Sequence, residues 1–190
     1  MNRILNYIRK YWTYTAVLLI CFSCNQMSEQ IVDEAAGTNG GFEVVQNGLP
    51  VNWQLYTPNT VPGAEFNIHL DTVDFKEGNQ SLKFKVERCS NLGGWKSPGF
   101  TNEFNIDKGS NYNLQFWIKN TDAEFRVMAG GVSAMEGDMK TLVQTSESFN
   151  EWKQFNFSIP IAKEYNTLRI EVNILKPGTF WIDNIKIEKE

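Results

Sequence analysis

Histidine is almost missing from this chain and cysteine is scarce: one His and three Cys in 190 residues. No motif marks a Ser–His–Asp arrangement around His69, and the sequence shows no zinc-type cluster of Cys and His and no phosphate-cradling glycine loop. Three cysteines make no disulfide framework. Cys21 and Cys24 fall at the N-terminus, so Cys89 is the single thiol of the remainder. It reads as a small residue at a strand end, because no His stands near it to activate a nucleophile. Glu103, Asp138 and Glu171 are available acids, but their spacing marks no pair flanking a cleft, as glycoside hydrolysis needs. Catalysis is therefore not expected. There is also no internal repeat and no low-complexity tract.

Long hydrophobic runs are lacking too. The longest apolar stretch, from Thr15 to Phe22, is far short of the ~20 residues that span a bilayer. It follows Arg3, Arg9 and Lys10 and precedes Ser23-Cys24, the outline of a secretory leader. This resembles a bacterial lipoprotein signal. Residues 1–23 are then the leader, and Cys24 the new N-terminus that carries lipid and anchors the protein to a membrane. The implied location is the cell envelope, at the outer membrane or cell surface. A plain secretory signal is the competing reading. Residues 24–38 are polar, acidic and small, and are expected to form a flexible tether. Three of the 18 basic residues lie before Cys24, so the rest carries 15 against 22 acids, a net charge of about −7. Such a chain is not expected to bind nucleic acid, whose affinity comes largely from cationic contacts to phosphate.

What is abundant is aromatic: 13 Phe, six Trp and six Tyr. Short segments of alternating polarity recur from Gly40 onward, separated by turn residues, which predicts an all-β sandwich or barrel of about ten strands. Candidates are Phe42–Gln46, Trp53–Tyr56, Glu65–Leu70, Ser81–Glu87, Phe100–Asn105, Tyr112–Lys119, Glu124–Ala129, a weaker Lys140–Thr145, Trp152–Ile159 and Leu168–Ile174. The last strand, Phe180 to Ile187, alternates to Asp183, slips by one residue at Asn184 and alternates again. A phase slip of this kind predicts a β-bulge. Glycine-rich residues 130–138 and the stretch Cys89–Pro98 are expected to be loops.

Asn39-Gly40-Gly41-Phe42-Glu43, Gly48-Leu49-Pro50 with Trp53, Gly78 with Ser81-Leu82-Lys83, and Gly109 followed by Tyr112, Leu114, Phe116, Trp117 and Lys119 stand in a familiar order. Trp152 and the closing Phe180-Trp181-Ile182-Asp183-Asn184-Ile185 complete it. Over residues 39–190 this resembles the carbohydrate-binding modules of the galactose-binding-like jelly-roll type, families four, nine and twenty-two. The resemblance implies two packed antiparallel sheets and a structural calcium ion where the first and last strands meet. By motif position Glu43 and Asp183 would be side-chain ligands, with backbone carbonyls around Asn79 and Ser81; calcium takes six to eight oxygens of these kinds.

A sugar site pairs flat aromatic rings with polar groups that bond hydroxyls. Trp117, Gln115 and Arg126 are expected on neighbouring strands, with Arg169, Glu171 and Asn173 on the same sheet and Trp53 and Trp95 flanking from loops. Trp152 and Trp181 are assigned to structure. The expected function is non-catalytic glycan binding by a lipid-anchored envelope protein. The alternative is an adhesion or assembly subunit that binds another envelope protein through the same sandwich.

Overall fold

Alternation turns into structure most plainly in the strand Asn111–Thr121, where every second side chain from Tyr112 to Asn120 is buried and those between are not. The computed structural model describes residues 30–190. The expected leader, Cys24 and the start of the expected tether lie outside them. The strands are β1 (Val45–Gln46), β2 (Leu49–Pro50), β3 (Gln54–Tyr56), β4 (Glu65–Asp71), β5 (Ser81–Arg88), β6 (Gly99–Asn105), β7 (Asn111–Thr121), β8 (Phe125–Val132), β9 (Lys140–Thr145), β10 (Phe149–Pro160), β11 (Thr167–Ile174) and β12 (Gly178–Lys189). Two antiparallel five-stranded sheets face each other, ordered β10-β7-β12-β5-β4 and β3-β6-β11-β8-β9, with β1-β2 a separate hairpin. The fold is an all-β sandwich, as the alternation predicts, of the jelly-roll type that the resemblance implies. Two differences are local. The first candidate strand shrinks to β1, and β8 runs on into the expected glycine loop as far as Val132.

The inner faces meet over an aromatic core. Phe84, Phe100, Phe116, Phe125 and Phe180 are all but fully buried, and each such side chain contributes roughly 2–3 kcal/mol by leaving water. Phe84 stacks on Phe100 across the two sheets at 6.1 Å, and Phe125 meets Phe180 at 5.1 Å. Cys89 packs at the rim of this core, and burial pushes its thiol up to about 11. It is a poor nucleophile at neutral pH.

The bulge is where the phase slip puts it. On β12 the pairing with β7 goes from Asp183↔Trp117 to Lys186↔Gln115, one residue more on β12 than on β7, and Asn184 takes a left-handed φ of 53°. The extra residue leaves the Ile185 N–H free of the ladder, and it donates to the Gly40 carbonyl at 2.9 Å. A Cβ on Gly40 would lie 1.8 Å from the Ile185 oxygen, so only glycine can run this close. The two ends of the domain are thus joined by backbone.

The segment expected as a tether is tied down from Ile31 onward. Asn52, itself at φ 67°, donates from its backbone to the Ile31 carbonyl and from Nδ2 to the carbonyls of Asp33 and Gly37, each at 2.8 Å, and its Oδ1 accepts the Asp33 N–H at 2.8 Å. Asn39, buried, bonds the backbone of Val44 and Val51 in the same manner. A polar segment reads as flexible when its partners are unknown. Here the Asn52 side chain acts as a length of backbone and holds it to the sandwich, and the Asn39 side chain fastens the turn that follows.

Candidate functional site

The two sheets present two outer faces, and the structure divides the sequence-expected site residues between them. β7 and β8 are consecutive but lie in different sheets. Gln115 and Trp117 therefore point out of the first sheet, whereas Arg126, Arg169, Glu171 and Asn173 belong to the outer face of the second. The expected grouping of Trp117 and Gln115 with Arg126 does not form. Alternation along a strand says which side chains share a face, but not which sheet the strand joins.

The outer face of the first sheet is occupied by its own side chains. The Trp181 indole donates to Asp71 at 2.9 Å, Lys83 pairs with Asp71 at 2.8 Å, and Lys119 pairs with Asp74 at 2.7 Å. The ammonium groups of Lys83 and Lys119 lie 4.8 and 5.5 Å from the centre of the Trp181 ring. Burial works to raise the Asp71 carboxyl, but the bonds from Lys83, Trp181 and the N–H groups of Val73 and Asp74 outweigh it and hold it well below the usual carboxylate range. Trp117 is covered by the Lys76 ammonium, 4.1 Å above its ring.

Beside this network the loop after β4 reaches the closing strand. Asp183, fully buried, accepts N–H bonds from Lys76 at 2.7 Å and Glu77 at 3.0 Å on one oxygen and from Asn184 at 2.6 Å on the other. Glu43 accepts the backbone N–H of Asn79 at 2.8 Å and its side-chain amide at 3.2 Å. Ser81 is buried and donates to the Asp74 carbonyl at 2.6 Å. Burial raises the Asp183 carboxyl, the three N–H bonds lower it, and the nearby Glu43 charge adds to the rise. No cationic side chain pairs with either acid among the described residues. No group of three or more His, Cys, Asp and Glu side chains that could hold a metal gathers among them either.

The outer face of the second sheet is less complete. Register sets Tyr56, Gly99, Asn173 and Arg126 in one row across β3, β6, β11 and β8, then Gln54, Thr101, Glu171 and Met128, then Glu103 and Arg169. Arg126 donates from Nη2 to Asn173 at 3.1 Å, while its Nε is buried with no partner among the described residues. A buried N–H left unbonded costs about 1–3 kcal/mol, more when the group is charged. The Cys89–Pro98 loop leans over this row. Asn173, fully buried, accepts from the Gly94 N–H at 3.1 Å and donates to its carbonyl at 3.3 Å. Its side chain is spent on holding the loop and Arg126 in place. Gly93 has φ 75°, which favours glycine, and a Cβ there would lie 1.9 Å from the Arg126 guanidinium and displace it. Trp95 follows in the turn Gly94–Lys96 and is 67% exposed.

Further along the face, Arg169 binds Glu103 through both Nε and Nη2. The Tyr56 hydroxyl is pushed far above its ordinary range, by burial first and by the Glu171 charge, with Arg169 opposing. A cavity of about 640 Å3 opens over Gln54, Thr101, Glu103 and Arg169 and is bounded on its far side by residues 30–38. The cavity and its polar lining were not anticipated, because Gln54 and Glu103 carry no pattern beyond that of solvated strand residues. Trp53, expected at the rim, is in the core. Its ring lies 5.2 Å from Phe100 and its indole donates to the Asn39 carbonyl at 3.0 Å.

No protein-family model and no curated protein matches the chain. Among solved structures, it is similar to the CBM22-1 xylan-binding domain of Paenibacillus barcinonensis Xyn10C, with a TM-score of 0.55 and 12% identity over 79% of this chain and 91% of that one. It is similar to the CBM22-1 and GH10 modules of a Clostridium thermocellum xylanase in complex with xylohexaose, with a TM-score of 0.55 and 14% identity over 73% of this chain and 26% of that one. It is also similar to TmCBM61 in complex with β-1,4-galactotriose, with a TM-score of 0.54 and 18% identity over 80% and 96%. At these identities the likeness is one of fold.

Proposed function

We propose that the outer face of the second sheet binds a glycan without altering it. The observation that carries this is Arg126: a half-buried guanidinium held by Asn173 under the loop that carries the exposed Trp95, on the same sheet as a polar cavity. Together they supply a flat ring for a sugar face and directed donors for hydroxyls. The fold neighbours that bind xylan, xylohexaose or galactotriose support the reading. Glu103 is engaged by Arg169 and Asn173 by the loop, which leaves Arg126, Glu171, Tyr56 and Trp95 to meet the ligand. Affinity electrophoresis in gels containing soluble polysaccharides tests it. Wild-type protein and Trp117→Ala are retained, Trp95→Ala is retained less strongly, and Arg126→Ala runs freely. If no polysaccharide retards the wild type, the reading fails.

Calcium belongs to the same proposal as a structural ion between Glu43 and Asp183. Charge and donor type fit: two carboxylates, one buried, have no cationic partner among the described residues, and each oxygen has lone pairs to spare. Bound there, calcium neutralises both acids and ties the start of the domain to its closing strand. Backbone carbonyls near Asn79 and Ser81, with water, would supply the remaining oxygens. The domain is further proposed to be anchored to an envelope membrane by lipid on Cys24. The leader pattern supports this, and fractionation of a Cys24→Ala variant tests it: the variant leaves the membrane fraction if lipid is the anchor and stays if it is not.

A further inference from the structure

The cavity is not a property of the sheet alone. β3 pairs with β6 only as far as Gln54↔Thr101, while β6 continues through Glu103 to Asn105. The chain before β3 veers away because Leu49–Pro50 is paired with β1. The wedge left beside the bare edge of β6 is bounded by residues 30–38. That wall is fixed at both sides. Asn52 holds it through the bonds to Ile31, Asp33 and Gly37, and Gln30 reaches across to the Asn102 side chain at 3.4 Å.

The lining has a definite chemistry. Glu103 and Arg169 neutralise each other at the floor. The side chains of Thr38, Gln54 and Asn105 line the space and make no hydrogen bond among the described residues. The edge of β6 beyond Thr101 adds backbone groups, although its Glu103 N–H already bonds the Asn102 side chain at 2.7 Å. A volume of about 640 Å3 lies within the range of small-molecule sites. With Glu34 on the wall and the one cation at the floor already paired, the lining is mildly acidic; its many-sided hydrogen bonding suits a compact, uncharged polyhydroxyl group and disfavours an acid. On the proposed glycan-binding function, we infer that this cavity takes the terminal unit of a neutral sugar chain, and that residues 30–38 are the stop against which the chain end rests. The rest of the chain lies over the face toward Glu171, Arg126 and Trp95.

Calorimetric titration of the mature protein separates the possibilities. The probes are xylohexaose, cellohexaose and β-1,4-galactotriose, with xylan, hydroxyethylcellulose and β-1,4-galactan as the long chains. The expected result is one protein per sugar chain whatever its length, and a loss of about tenfold or more in affinity, the scale of one good polar contact, for Asn105→Trp, which fills the cavity from an exposed strand end. Thr38→Trp fills it from the wall, and thermal melts establish that both variants are folded. More proteins per chain as length grows would overturn the inference. So would wild-type affinity in both Trp variants with affinity lost in Arg126→Ala, and in either case glycan binding itself would stand. If wild-type protein binds none of the six probes, the glycan reading falls and the inference falls with it.

Discussion

The two outer faces of the sandwich are built from similar residues and differ in how those residues are satisfied. On the first, Asp71 takes Lys83 and the Trp181 indole, Asp74 takes Lys119, and Lys76 covers Trp117. On the second, Arg126 keeps an unbonded Nε, Trp95 stands 67% exposed, and a polar cavity opens beside the β6 edge. Polar groups that complete one another contribute stability. Polar groups held in place but left incomplete carry a cost, and the accessible ones among their neighbours are free to meet a ligand. The presence of Trp and Lys on a strand face therefore says little about binding; whether their partners lie within the same face says more.

Several substitutions would sharpen or break this contrast. The largest effect is expected at the closing strand. Asp183→Asn should abolish a calcium-dependent rise in melting temperature, and chelation of wild-type protein should lower the midpoint by roughly 5 °C or more, as expected for an ion present well above its dissociation constant. A midpoint indifferent to both calcium and chelator would remove the ion from the account. Next comes Asp71→Asn on the satisfied face. It should cost about 2 kcal/mol in urea unfolding, the scale of charge-assisted hydrogen bonds, with glycan retention intact.

The same variant carries a pH signature. The Asp71 carboxyl is depressed on folding, so its contribution is present in full above the unfolded carboxylate pKa of about 4 and is lost as pH falls through the lower folded value. Wild type and variant should converge in stability on acidification below about pH 4; a constant gap there would refute the role given to Asp71. On the incomplete face the order reverses. Arg126→Ala should change stability by less than about 1 kcal/mol, because one donor is already unbonded, yet abolish retention. Trp95→Ala should leave stability within about 0.5 kcal/mol, as exposed positions do, and weaken binding several-fold. Equal loss of stability and retention in both variants would mean that this face is structural after all.

Much of the fold was legible because strand periodicity is local. β7 and β11 read as strands from their own residues, and the slip at Asn184 announced the bulge, since one extra residue inverts every side chain after it. The members of the second face on β11, Arg169, Glu171 and Asn173, were also found by alternation alone. Other features depend on partners remote in sequence. Nothing near Trp53 distinguishes a rim tryptophan from one whose indole bonds the Asn39 carbonyl inside the core. Nothing within residues 30–38 reveals that Asn52 waits for their backbone.

Most strands, and the side chains that share a strand face, are written in the local sequence. Only the three-dimensional arrangement reveals that β7 and β8 part company between the sheets, that Trp95 stands 67% exposed while Trp117 lies under Lys76, and that the polar N-terminal segment walls a cavity. The physical reason is the range of the interactions. Alternation is enforced within a few residues by the pleat, whereas burial and hydrogen-bond completion are settled between groups about 20 to 110 positions apart, such as Asp33 with Asn52 and Asp71 with Trp181.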